Sequence, residues 1–160
     1  VLLPPQSNRV DHEAELALVI GKRGRWIDPA HALEHVLGYT AANDITARDL
    51  QQKDGQWTRG KGFDTFCPLG PWIETELDTS DLRVACRVDG ELRQMGSTRE
   101  MVFPAQQLIA FISSVMTLMP GDVILTGTPA GIGPLSAGQA VEVDIEGIGV
   151  LSNPVINDTH

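Results

Sequence analysis

Glu13-Ala-Glu-Leu-Ala-Leu-Val-Ile20, closed by Gly21, is the stretch that decides the fold. In an extended strand Glu13, Glu15, Ala17 and Val19 fall on one face, and Ala14, Leu16, Leu18 and Ile20 on the other. Apolar residues on both faces predict a strand covered from both sides, as in a layered β structure. Two carboxylates on one face of such a strand are costly unless something compensates them. They are either solvated at the strand rim or part of a hard-cation site, because oxygen donors suit Mg²⁺ or Mn²⁺. A third carboxylate such as Asp44 would complete one face of that site.

Working outward, Asp28-Pro29 predicts a helix start, with Leu33, Val36 and Leu37 as its apolar stripe and Gly38 as its stop. Tyr39 to Ile45 reads as a short strand that delivers Asp44 near its end. One helical turn is expected near Ala47–Gln51, and Gly70-Pro71-Trp72-Ile73 resumes extended structure. Asp89-Gly90, between Leu82–Val88 and Glu91–Gln94, is a two-residue hairpin signal. Pro104 opens a helix in which Leu108, Ile109, Ile112, Val115 and Met116 recur at helical spacing. Strands follow at Val123–Leu125, Ala140–Ile145 and Val150-Leu151. This mixture predicts an α+β, mostly β chain forming a single domain over residues 1–160.

The bulk composition narrows the partners. The 160 residues are 42% hydrophobic, enough for one core. A net charge of -9 argues against nucleic acid or an anionic membrane surface. An anionic ligand would therefore need a cation or a locally basic pocket. No apolar run reaches the roughly 20 residues of a membrane helix, and no signal peptide is visible. Cys67 and Cys86 lack metal or redox spacing and read as reduced thiols, which predicts a cytoplasmic protein. The opening Val-Leu-Leu-Pro-Pro, without Met, is expected to belong to something longer.

The polar groups concentrate in Asn43–Pro71, where Arg48, Lys53, Arg59 and Lys61 fall close together with Gln51 and Gln56. Thr126-Gly-Thr-Pro129 looks like a loop whose glycine lets backbone amides approach a carboxylate. His31 and Glu34 have acid/base spacing, but on a predicted helix surface. His12 faces away from the glutamates, and His160 is terminal.

Taken together, Asp11–Gly21, Asn43–Gln51, Gln56–Phe66, Pro68–Pro71, Pro120–Pro129 and Glu142–Gly149 resemble the fumarylacetoacetate hydrolase family, in order and over nearly the whole chain. The resemblance implies a multi-layer β-roll with a few helices. It implies Glu13, Glu15 and Asp44 as Mg²⁺ or Mn²⁺ ligands, Lys61 as the catalytic cation facing substrate, and Gln51 and Thr128 as substrate contacts. Arg48 and Asp64 would brace the loop by ion pairing, with Phe63 and Phe66 as walls. Substrates would be β-diketo, 2-keto or 2-hydroxy-dienoic acids, whose enolate leads to C–C hydrolysis, decarboxylation or isomerisation. The pattern is most similar to members of aromatic-acid catabolism, such as hydroxyheptadienedioate isomerase or acylpyruvate hydrolase. A homodimer is implied, through Trp72 or the Phe103–Met119 helix. The family's usual His-x-x-Glu acid/base pair precedes the Glu-x-Glu strand and has no counterpart here; that role is not transferred to His31 and Glu34. The chain is expected to be either a piece of a longer enzyme or a metal and keto-acid binding protein without efficient turnover.

Overall fold

Burial on both faces makes Ala14–Ile20 a central strand: all seven residues are buried in the computed structural model, which describes residues 1–159. The described chain contains β1 (Leu2–Leu3), β2 (Val10–His12), β3 (Ala14–Ile20), β4 (Val36–Asn43) and β5 (Thr46–Ala47). After two short helices, α1 (Arg48–Asp54) and α2 (Thr58–Lys61), come β6 (Leu69–Glu74), β7 (Arg83–Val88) and β8 (Glu91–Ser97). Helix α3 (Ala105–Val115) precedes β9 (Val123–Leu125), β10 (Gly133–Pro134), β11 (Ala140–Ile145), β12 (Gly149–Pro154) and β13 (Ile156–Asn157). The fold is α+β and mostly β, as expected.

Two four-stranded antiparallel sheets, ordered β6-β4-β3-β9 and β12-β11-β7-β8, form the main layers. A three-stranded sheet, β10-β2-β5, and a parallel pair, β1 with β13, complete the roll. Strand β11 forms where predicted and alternates, burying Val141, Val143 and Ile145. These join Leu16, Leu18, Ile20, Ile109 and Ile124 in one hydrophobic cluster. Each such side chain contributes about 1.5–3 kcal/mol when fully buried. Asp89 and Gly90 both have positive φ, at 52° and 79°, the turn expected for a two-residue hairpin.

Three local expectations are corrected. Asp28 caps the predicted helix through Ala30 N–H, but the segment is a 3-10 helix, Pro29–His35. Val36 and Gly38 are instead drawn into β4 by pairing with Ile20 and Val19, which leaves Leu33 and Leu37 exposed. Gly38 is therefore no helix stop: a Cβ there would lie 2.5 Å from the Glu74 carbonyl, so it permits close approach of β6. In α3, Ala105, Ile109 and Ser113 are buried while Val115 and Phe111 are exposed. Its apolar band is wider than the core it covers. The segment between Gln56 and Lys61 holds α2.

Glu13 lies between strands. It is where the chain passes from the β2 sheet to the β3 sheet, and its N–H is taken by Asn43 Oδ1 at 2.9 Å rather than by a ladder partner. Gly131 holds the following loop against β8: its φ is +102°, and an added Cβ would lie 2.2 Å from the Arg93 carbonyl oxygen. Gly131→Ala is expected to cost about 2 kcal/mol or more, seen as a fall in urea midpoint with an unchanged slope. No described helix is long and apolar enough to cross a membrane.

Candidate metal centre

The β3–β4 register builds the acidic cluster. Ala14 sits opposite Asn43, and Asp44 N–H continues the pairing by donating to the Glu13 carbonyl at 2.8 Å. Asp44 thereby arrives beside Glu13 at the sheet end, and Glu15 points to the same side one strand repeat along. Oxygens of Glu13, Glu15 and Asp44 all lie within 4.8 Å of one another. Glu13 and Glu15 are buried and Asp44 is partly buried. The sequence reading named these three, and the fold brings them together.

Two cations contact the cluster. Lys61 Nζ contacts Asp44 Oδ2 closely, reaches Glu13 Oε2 at 3.2 Å and donates to Thr46 Oγ1 at 3.0 Å. Arg48 spreads over three partners: Nε on Asp11 Oδ2 at 3.0 Å, Nη1 on Gln51 Oε1 at 2.8 Å, and Nη2 in close contact with Glu13 Oε1. Asp11 is fully buried and also takes Arg9 Nε at 3.0 Å. Arg48 thus braces the site as expected, and more directly than the sequence suggested. Asp64 is exposed and makes no ion pair among the described residues, so only Arg48 braces the loop. Phe63 and Phe66 pack on each other at 5.4 Å, with Phe66 in the hydrophobic cluster and Phe63 partly buried against it.

Glu15 differs from its neighbours. Its Oε2 accepts from Gly127 N–H at 2.6 Å, and it has no ion-pair partner among the described residues. Burial, reinforced by the Asp44 and Glu13 charges, pushes its carboxyl up to about 7. Burial also raises the Asp44 pKa, against the opposing effect of Lys61. An all-oxygen donor set with one buried carboxylate lacking a counter-ion fits a hard divalent cation.

Gln51 is buried with its carbonyl oxygen committed to Arg48. Thr128 lies in the loop that continues from β9 along β3, but its hydroxyl donates to the Ala14 carbonyl at 2.8 Å and accepts from Gln94 Nε2 at 2.7 Å. Together with Thr126 Oγ1 on the Leu16 carbonyl at 2.8 Å, it supplies hydroxyl donors to carbonyls where strand pairing has ended. The single hydroxyl proton of Thr128 is spent within the fold.

The histidines stand apart. His31 Nδ1 meets Glu34 Oε1 at 2.9 Å on the surface, as expected. His12 is buried and bonded to Gln94 Oε1 at 2.8 Å, and burial lowers its pKa. His160 lies outside the described residues. Cys67 and Cys86 are both free, and burial drives the Cys86 thiol up to about 12. The Gly127 N–H on Glu15 is the amide-to-carboxylate approach expected of the Thr126–Pro129 loop. Sequence reasoning missed the direct part played by Asp11 and Thr46. Asp11 could have been found from its alternation with Glu13 and Glu15; nothing local marks Thr46.

Residues 1–156 match the family model described as fumarylacetoacetate (FAA) hydrolase C-terminal. An uncharacterized protein of Methanocaldococcus jannaschii is 54% identical over 155 residues, a match covering 97% of this chain and 65% of that protein. The human mitochondrial oxaloacetate tautomerase is 49% identical over 168 residues, covering 98% and 54%. The crystal structure of a 5-carboxymethyl-2-hydroxymuconate delta-isomerase from Mycobacterium smegmatis superposes with a TM-score of 0.98 at 51% identity, covering all of this chain and 64% of that one. The chain therefore spans less than two thirds of the length of each of these three proteins. A family match over nearly every residue, with the same fold at this identity, places the chain in the fumarylacetoacetate hydrolase family.

Proposed function

We propose that the chain carries, in a single domain, the metal and substrate centre of an enzyme that acts on small 2-keto or 2-hydroxy-dienoic acids through an enolate. The observation that carries this is the Glu13, Glu15 and Asp44 cluster with Lys61 and Arg48 beside it. Glu13, Glu15 and Asp44 would hold Mg²⁺ or Mn²⁺. When bound, the cation supplies Lewis-acid stabilisation of negative charge developing on a keto oxygen.

Charge balance supports an anionic substrate. Asp11, Glu13, Glu15 and Asp44 face Arg9, Arg48 and Lys61, four formal negative charges against three positive. A divalent ion turns that surplus of one negative into one positive, which suits a keto-acid carboxylate. Lys61 now spends its ammonium protons on Glu13, Asp44 and Thr46. It gains a free donor for substrate when those carboxylates turn to a cation. Gln51 keeps its amide N–H₂ for a polar group of the substrate, since only its oxygen is tied to Arg48. With the Thr128 hydroxyl committed, a backbone N–H of the 126–128 loop is the better donor for a second substrate carboxylate.

Relatives named as a tautomerase and an isomerase support relocation of a proton on the enolate as the first reaction to test. The test is turnover of oxaloacetate, 5-carboxymethyl-2-hydroxymuconate and an acylpyruvate with Mg²⁺ and with chelator. Chelator-sensitive tautomerisation or isomerisation is expected; folded protein inert on all three contradicts the proposal. Lys61→Met should raise KM by tenfold or more with circular dichroism unchanged, because an ammonium to carboxylate contact is lost.

A second reading is binding of metal and keto acid without efficient turnover. Its support is that His12, His31 and His35 are each engaged with Gln94, Glu34 and the Lys22 carbonyl, so none of them offers a proton shuttle at the carboxylates. Calorimetry with oxalate plus Mg²⁺ would then show binding while every assay stays flat. We place the enzyme in aromatic-acid breakdown, in the cytoplasm, on the relatives' substrate chemistry and the two free thiols. Exposed Phe103, Phe111, Val115 and Met116 support a homodimer along α3. Phe111→Asp is expected to lower the mass seen by sedimentation equilibrium; an unchanged monomer in both proteins removes that part.

A further inference from the structure

Strand β8 has one buried residue, and it is polar. Glu91, Leu92, Arg93 and Met95 are exposed and Gly96 and Ser97 partly so, whereas Gln94 is 1% exposed. A position that only filled the core would take an apolar side chain, because a buried amide costs free energy unless fully bonded.

The Gln94 amide is fully bonded. Its Oε1 accepts from His12 Nδ1 at 2.8 Å and from Ala14 N–H at 3.1 Å. Its Nε2 donates to Thr128 Oγ1 at 2.7 Å and to the Pro129 carbonyl at 2.8 Å. Two oxygens on one side and two donors on the other fix the amide orientation, and with it the Nδ1–H tautomer of His12. Thr128 Oγ1 passes its own proton to the Ala14 carbonyl at 2.8 Å. Both backbone groups of Ala14 are therefore held by this network, and Ala14 lies between Glu13 and Glu15. The same network grips residues 128 and 129, next to Gly127, whose N–H meets Glu15 Oε2 at 2.6 Å. Gly127 itself has φ +97°, which glycine adopts without strain, so its N–H direction depends on how the flanking residues are held.

We propose that Gln94 is a positioning residue of the acidic centre: by tying Ala14 to Thr128 and Pro129, it fixes the distance between the Gly127 N–H and the Glu15 carboxylate. Its effect on cation affinity rests on the reading of Glu15 as a ligand, while the clamp itself does not. Groups behind direct ligands typically tune metal affinity by tenfold to a hundredfold.

Gln94→Met keeps size and removes all four bonds. Thr128→Val removes only the hydroxyl that joins Gln94 to Ala14, and Thr128→Ser retains it. Two quantities are read on protein whose fold is checked by circular dichroism: the Gly127 amide proton resonance without metal, and the Mn²⁺ dissociation constant by calorimetry. Gln94→Met and Thr128→Val are expected to move the Gly127 resonance upfield and weaken Mn²⁺ binding at least about tenfold, with Thr128→Ser restoring both. If Gln94→Met does not fold, Thr128→Val and Thr128→Ser decide the matter. A wild-type Gly127 resonance in the folded variants overturns the clamp. A shifted resonance with unchanged Mn²⁺ affinity overturns its link to the centre. If the wild-type protein binds no Mn²⁺, the metal reading falls, and the Gly127 resonance still judges the clamp.

Discussion

Glu15→Gln is expected to weaken Mn²⁺ binding by more than about a hundredfold, since it takes a charged oxygen from the centre. Turnover at moderate Mg²⁺ should fall by at least as much. The substitution is nearly isosteric, and glutamine can still accept from Gly127 N–H, so the loop is retained. In the metal-free protein the opposite sign is expected for stability. Burial raises the Glu15 carboxyl from 4.5 to about 7, so the folded state holds this proton more tightly than the unfolded chain. Metal-free wild-type protein should therefore lose stability as pH rises from about 4.5 to 7, by on the order of a few kcal/mol. Glu15→Gln should lack that decline. Urea titrations at several pH values in chelator check it. A variant that binds Mn²⁺ as tightly as wild type removes Glu15 from the ligand set.

The second large effect concerns Arg48. Its guanidinium is the main support of a fully buried Asp11, whose other partner, Arg9, is mostly exposed. The same group neutralises Glu13 Oε1 and anchors Gln51. Arg48→Met strands a buried charge and is expected to cost about 3 kcal/mol, lowering Tm by roughly 6–12 °C for a chain of this size. Arg48→Lys should not rescue it, because one ammonium cannot span three partners set out for a planar fork. Thermal unfolding at neutral pH measures this. A loss below about 1 kcal/mol would mean that water or Arg9 already supports Asp11.

These effects also mark how far the sequence could be read. The double-faced apolar run of β3 was legible because burial on two sides leaves no polar alternation to confuse it. The hairpin at Asp89-Gly90 was legible because few residues tolerate that backbone. The acidic trio came through the family resemblance, and the β3–β4 register explains why Asp44 reaches Glu13. Val36–Gly38 misled, since helix signals at Asp28-Pro29 were overridden by pairing with β3. Thr128 and Asp64 were assigned by motif alone, and a motif does not say where a hydroxyl spends its proton or whether a carboxylate meets a cation. Gln94 carried no signal at all: its importance lies in four partners from two distant segments, residues 12–14 and 128–129.

The central claim is that Glu13, Glu15 and Asp44 hold one divalent ion. Anomalous diffraction from crystals soaked in Mn²⁺ tests it most directly. The account predicts one strong peak within coordination distance of all three carboxylates, with Lys61 Nζ displaced from between Glu13 and Asp44. A map with no peak there, and Lys61 still seated between those two carboxylates, would contradict it.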